Sequence, residues 1–318
     1  MITLQDVVRA AERLHGVVHR TPAVTSSTLA DQVGARVHAK AENLQRVGAF
    51  KFRGAYNAIA ALPAAERQRG VFTYSSGNHA QAVALSARLQ DTRATILMPE
   101  DAPPMKLAAT EGYGAEVIRY DRYGEDRAAL GEQLAEERGM VLIPPYDHED
   151  VMAGQGTVAL ELVEQTGGLD VLVVPVGGGG LISGCAAVAA AHHIRVVGVE
   201  PDERPAARRA LEEGHPVELP IVRTIADGQQ TPSIGVRPFE VIERHVAGVV
   251  GVSDDELVAA MRFAFERLKL VLEPSGASAL AAVLAERLSG LAADGSTRVG
   301  VVLSGGNIDV ERFAELVG

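Results

Sequence analysis

Short runs of almost purely apolar residues recur along the chain, separated by stretches with helical spacing. The runs at 70–74, 94–98, 115–120 and 140–143 predict strands, and 78–90, 105–112 and 125–138 predict the helices between them. After residue 150 the alternation resumes with helix 153–166, strand 171–176, helix 181–192, strand 195–200 and a last strand at 299–303. Strands apolar on both faces need cover on both faces, which is the parallel α/β arrangement. Residues 1–16 have the spacing of an amphipathic helix and lack the apolar core of a signal peptide. The stretch 171–191 is uncharged over the length of a membrane span. Pro175 and the glycines at 177–180 break it, so it reads as strand, loop and helix, and no membrane partner is expected.

The chain has 318 residues, and a prior of about 150 residues per domain suggests two. The polar, turn-like stretch 146–150 is the best boundary, and its acidic cluster Asp147-His-Glu-Asp150 reads as a solvated loop. Thirty basic residues against 41 acidic ones leave a net charge of −11, which gives nucleic acid no footprint. The single Cys185 excludes an internal disulfide framework and a cysteine zinc site. A cytoplasmic location is expected.

Three loops carry chemistry. In Pro175-Val-Gly-Gly-Gly-Gly-Leu181, four glycines join an apolar strand to a helix, leaving backbone N–H groups and a helix N-terminus to converge on a phosphate. A turn that merely packs close is the plainer reading, set against the entropic cost of four glycines. The chain has no Gly-Lys-Ser/Thr phosphate loop, and the Gly154-Gln-Gly156-Thr-Val-Ala159 match to a dinucleotide fingerprint follows an acidic segment rather than a strand. Close helix packing explains it better. The second loop is Gly48-Ala-Phe-Lys-Phe-Arg-Gly54. Arginine cannot lose its proton, so an amine nucleophile must be one of four lysines: Lys40, Lys51, Lys106 or Lys269. Lys269 and Lys106 read as surface residues, the latter at a solvated helix start after Pro103-Pro-Met, and Lys40 lies in a strand-like run. Lys51, between Phe50 and Phe52, has apolar neighbours that favour the neutral amine, although taken alone it reads more readily as an amphipathic surface residue. The third loop, Tyr74-Ser-Ser-Gly-Asn-His79, clusters donors at a helix start, suited to a carboxylate or phosphate or to ordinary capping, and His79 could be structural.

In this order, the three loops resemble the serine/threonine dehydratase and serine racemase family of pyridoxal-phosphate enzymes. The resemblance continues through Glu42-Asn-Leu-Gln45, Ala153-Gly-Gln-Gly-Thr157, Thr224-Ile-Ala-Asp-Gly228, Glu273-Pro-Ser-Gly-Ala277 and Ser304-Gly-Gly-Asn307, almost the whole chain. It implies a tryptophan-synthase-β-like fold of type II: two open twisted, mostly parallel sheets flanked by helices. Residues 1–60 and 148–318 would form a large cofactor domain and 61–147 a small mobile one, usually in a homodimer. By resemblance, Lys51 would hold the cofactor as an imine, Phe50 and Gly228 would sandwich its ring, and Asn78 would bond the ring hydroxyl. Gly177, Gly178, Gly179, Gly180 and Leu181 would hold the phosphate, and Ser304 would face the pyridine nitrogen with Glu273 nearby. Ser75, Ser76, Asn78, His79 and Arg127 would receive the substrate carboxylate.

The implied activity is loss of water, then ammonia, from a small β-hydroxy amino acid, L-threonine or L-serine, giving a 2-oxo acid. Lys51 would be the base. A serine at the pyridine nitrogen makes a weak electron sink, which favours β-elimination over transamination. Serine racemisation, with Ser76 as second proton carrier, and 3-hydroxyaspartate dehydration use the same site; a non-catalytic sensor of a phosphate ligand is the alternative of another class. The family's divalent-cation site resembles Glu200 plus a carboxylate six residues later, but Ala206 stands there. No metal of that type is expected, and Arg204 could supply the positive charge instead.

Overall fold

The computed structural model describes residues 1–102, 104–121, 124–220, 222–288 and 295–318. Among them ten strands follow in chain order: β1 (Ala23–Val24), β2 (Arg36–Ala41), β3 (Val71–Tyr74), β4 (Ala94–Pro99), β5 (Glu116–Tyr120), β6 (Val141–Leu142), β7 (Val171–Pro175), β8 (Arg195–Pro201), β9 (Val246–Val252) and β10 (Arg298–Leu303). They form a six-stranded sheet in the order β1-β2-β10-β7-β8-β9 and a four-stranded sheet in the order β5-β4-β3-β6. Every pairing is parallel except β1 with β2. The central strand β7 is buried along its whole length, which is why its sequence reads Val-Leu-Val-Val-Pro without alternation.

Helices cover both faces of the large sheet. On one side Met152, Leu162, Ile182 and Val188 pack against Leu172 and Val174; on the other, Leu257, Met261 and Leu280 pack against Val173 and Val301. Burying each such side chain contributes about 1.5–3 kcal/mol. The helix Glu149–Thr166 crosses the core, started by the His148 ring accepting from the Asp150 N–H at 3.2 Å and by two carboxylates in its first turn. Its glycines let other helices come close: a Cβ on Gly154 would lie 2.6 Å from the Arg53 carbonyl, and one on Gly156 2.7 Å from that of Gly184. The match at 154–159 is therefore helix packing. Asp147, expected in a solvated loop, instead accepts from the Val236 and Arg237 N–H groups and caps the helix Val236–His245.

The helix Lys51–Ala61 is fixed to this core by buried charge. Arg53 makes a two-pronged bond to Glu42, at 2.8 Å from both Nε and Nη2, and reaches Glu161 at 2.7 Å. Lys40 donates to the same Glu161 at 2.7 Å and to the Thr21 carbonyl. Two bases face two acids with their hydrogen bonds made, the condition under which buried charge is tolerated. Among the described residues, no helix is long and apolar enough to cross a membrane.

Candidate active site

The carboxyl ends of β3, β7 and β10 run into one cavity, the location that open α/β sheets offer a ligand. All the residues that the resemblance assigns to cofactor or substrate line it: Phe50 and Lys51, the loop 75–79, Arg127, the glycines 177–180 with Leu181, Gly228, Glu273 and Ser304. Lys51 stands at the start of its helix, with Nζ 5.2 Å from the Phe50 ring centroid and donating to the Pro145 carbonyl at 2.7 Å. Burial pulls its pKa down to about 8. Lys40, by contrast, is spent in its ion pair, and Lys269 is exposed.

The glycine loop can hold a phosphate. The N–H groups of Gly177 to Leu181 donate to no protein acceptor among the described residues, and the helix Gly180–Ala191 begins there. Gly179 has φ of +94°, where a side chain would be strained, and a Cβ on Gly178 would meet the Tyr146 ring at 2.2 Å. The glycines thus serve both readings: they pack close on one side and leave amides free on the other. An aldehyde-reactive amine beside an empty-handed anion cradle is a donor set that fits pyridoxal phosphate.

The loop 75–79 offers a second anion position, since the Asn78 and His79 N–H groups open the helix Asn78–Leu89 without acceptors. The His79 ring is committed elsewhere: its Nε2 donates to the Ile143 carbonyl at 3.0 Å, and burial followed by the charge of Lys51 lowers its pKa to about 3. His79 therefore offers its main-chain N–H rather than its ring. Asn78 donates to Glu273 at 2.5 Å and accepts from Asn307 at 2.8 Å. Burial and the nearby Asp227 push the Glu273 carboxyl up towards its neutral form. Gly228 donates to Ser275 Oγ at 2.9 Å, and Ser304 presents a neutral hydroxyl 3.4 Å from the Ser275 carbonyl.

The structure overturns the reading of Lys106 as a solvated residue; Pro103 beside it lies outside the described residues. Lys106 is buried, lines the cavity and forms an ion pair with Asp227. Burial lowers its pKa, but the charges of Asp227 and Glu273 win and the net shift is upward. Tyr74 and Tyr146 also line the cavity and were not read from the sequence. Burial raises both phenols, Tyr74 to about 12, while the Arg127 guanidinium pulls both back.

A type II fold whose sheet ends gather an amine and a phosphate cradle defines a pyridoxal-phosphate enzyme. The chain belongs to the pyridoxal-phosphate dependent enzyme family, whose model matches residues 14–305. It is 50% identical to the L-threo-3-hydroxyaspartate ammonia-lyase of Saccharomyces cerevisiae, over 99% of this chain and 96% of that one. It is 46% identical to the serine racemase of Schizosaccharomyces pombe, over 99% and 97%. The structure of maize serine racemase superposes with a TM-score of 0.93 at 39% identity, covering 98% of this chain and 96% of that one. These relatives place the chain among the ammonia-lyases and racemases that use this cofactor.

Proposed function

We propose that the chain is an ammonia-lyase whose preferred substrate is 3-hydroxyaspartate rather than the threonine or serine expected from the sequence. The observation that carries this reading is the charge of the cavity. Its described lining holds Lys51, Lys106 and Arg127 against Asp227 and Glu273, and Glu273 is held towards neutrality. Asp227 balances Lys106, whereas Arg127 forms no ion pair among the described residues, and an uncommitted guanidinium in the cavity suits a second substrate carboxylate. The similarity to the yeast lyase points the same way.

The bound cofactor supplies the electron sink for the pair released when the α-proton leaves. Lys51 Nζ takes that proton, its pKa of about 8 leaving it a working fraction of free base near neutrality. The Asn78 and His79 amides with the Ser75 and Ser76 hydroxyls hold the α-carboxylate, and Arg127 holds the second one. The Gly177–Leu181 amides hold the phosphate, and Ser304 gives the pyridine nitrogen a neutral partner. Loss of the β-hydroxyl as water, then its return on hydrolysis, leaves oxaloacetate and ammonium as net products. Segment 61–147 closes over the site and keeps water out until the elimination is done. Ser76 lines the same cavity as Lys51, which supports racemisation as a side activity.

The test is kcat/KM for ammonia release from L-threo-3-hydroxyaspartate, L-threonine and L-serine, with serine chirality followed in parallel. Arg127→Gln is expected to cost about 10–100-fold on hydroxyaspartate, the worth of a charged hydrogen bond, and much less on serine. Equal or better turnover of threonine or serine by the wild type, or a uniform loss in the variant, overturns the assignment.

A further inference from the structure

The cation site that the family resemblance implies does not fit the residues present. Both oxygens of Glu200, at the end of β8, are occupied: they accept from the Ala207 N–H at 2.7 Å, the Arg208 N–H at 3.1 Å and Arg208 Nε at 3.0 Å. The carboxylate serves as the anionic cap of the helix Ala206–Glu213, and the next ligand position is the Ala206 methyl. Three main-chain carbonyls do converge close by, those of Leu219, Pro220 and Thr231, but a side chain receives them. Arg204 Nη1 donates to Leu219 at 3.3 Å and also to Pro220, and its Nη2 donates to Thr231.

Arg204 is 2% exposed, and among the described residues no carboxylate lies within salt-bridge distance of it. A guanidinium so deeply placed and bonded only to carbonyls contrasts with Arg53, which has two carboxylates. Its acceptors lie at both ends of one segment, 219–231, whose neck is further closed by the Leu219 N–H on the Pro232 carbonyl at 2.9 Å. That segment carries Asp227, Gly228 and Gln229 into the cavity wall.

We propose that Arg204 is a positioning residue that gathers the two ends of segment 219–231, holds Asp227-Gly228-Gln229 against the cofactor site, and replaces an exchangeable divalent cation there. Converging carbonyl dipoles repel one another, and a cation between them removes that repulsion. A guanidinium does this permanently, because it keeps its charge at any working pH and cannot dissociate. The inference concerns the cofactor site and holds whichever β-hydroxy amino acid is the substrate.

The experiment titrates apoprotein with pyridoxal phosphate, followed by absorbance, for wild type, Arg204→Met and Arg204→Lys, each with EDTA and with magnesium chloride. Wild-type affinity and melting temperature are expected to be the same in both media. Arg204→Met should raise the cofactor Kd by about tenfold or more, as expected for lost charge-assisted hydrogen bonds, while kcat at saturating cofactor changes little. Arg204→Lys keeps the charge but spans fewer carbonyls, so its Kd should rise by less, about threefold. Should the methionine variant fail to fold, the lysine variant and the wild-type comparison decide. Wild-type cofactor affinity that tightens with magnesium, or a folded variant that binds cofactor as tightly as wild type, overturns the proposal.

Discussion

Lys51 and Arg53 are two positions apart, which at 100° per residue places them about 200° apart around one helix. One side chain looks into the cavity and the other into the buried charge cluster. Around Arg53, two carboxylates, a threonine and a second base satisfy one another. Around Lys51, one carbonyl accepts a hydrogen bond from the amine, and the amides of the glycine loop have no acceptor among the described residues. The first region is complete without a ligand; the second is complete only with one. Polar groups left unsatisfied at a cavity mark where function resides, because their desolvation is offset only on binding.

The contrast breaks most sharply at Lys51. Lys51→Ala should lower ammonia release by about a thousandfold or more, since nucleophile and base are lost together, and abolish borohydride-sensitive yellow absorption. Its thermal stability without cofactor should be unimpaired, because the amine removed is a desolvated one. Arg53→Met should do the reverse. Leaving Glu42 without its cation, and Glu161 with Lys40 alone, should cost about 3–5 kcal/mol in urea unfolding, while the folded fraction still takes up cofactor. A finer probe is pH. Burial depresses the Lys51 pKa to about 8, so the neutral amine grows as pH rises through that value. The rate at which apoprotein captures pyridoxal phosphate should climb by about tenfold from pH 7 to pH 9, following the free-base fraction. A flat profile would mean that the amine is not the reacting group.

The parts of the site built from consecutive residues were legible in the sequence. Four glycines after an apolar strand, and serines with an asparagine before a helix, announce themselves locally. Lys106 did not, because the carboxylate that gives it meaning lies 121 positions away in Asp227. Arg53 is opaque in the sequence for the same reason, its partner Glu161 being 108 positions distant. Tyr146 was hidden in a stretch whose polarity suggested a boundary, and only the folded structure shows its ring against Gly178. In the fold, the continuous apolar strands were clear, whereas β9, a half-buried strand interrupted by two glycines, gave too weak a period to read.

The chain's one thiol has a consequence for handling the protein. Cys185 is fully buried under the large sheet, and burial pushes its thiol up to about 12. An enzyme that keeps a reactive aldehyde gains from having no thiolate within reach of it. The same seclusion makes the residue a built-in alarm: alkylating reagents find nothing to modify until the core opens, so labelling kinetics would read out global unfolding.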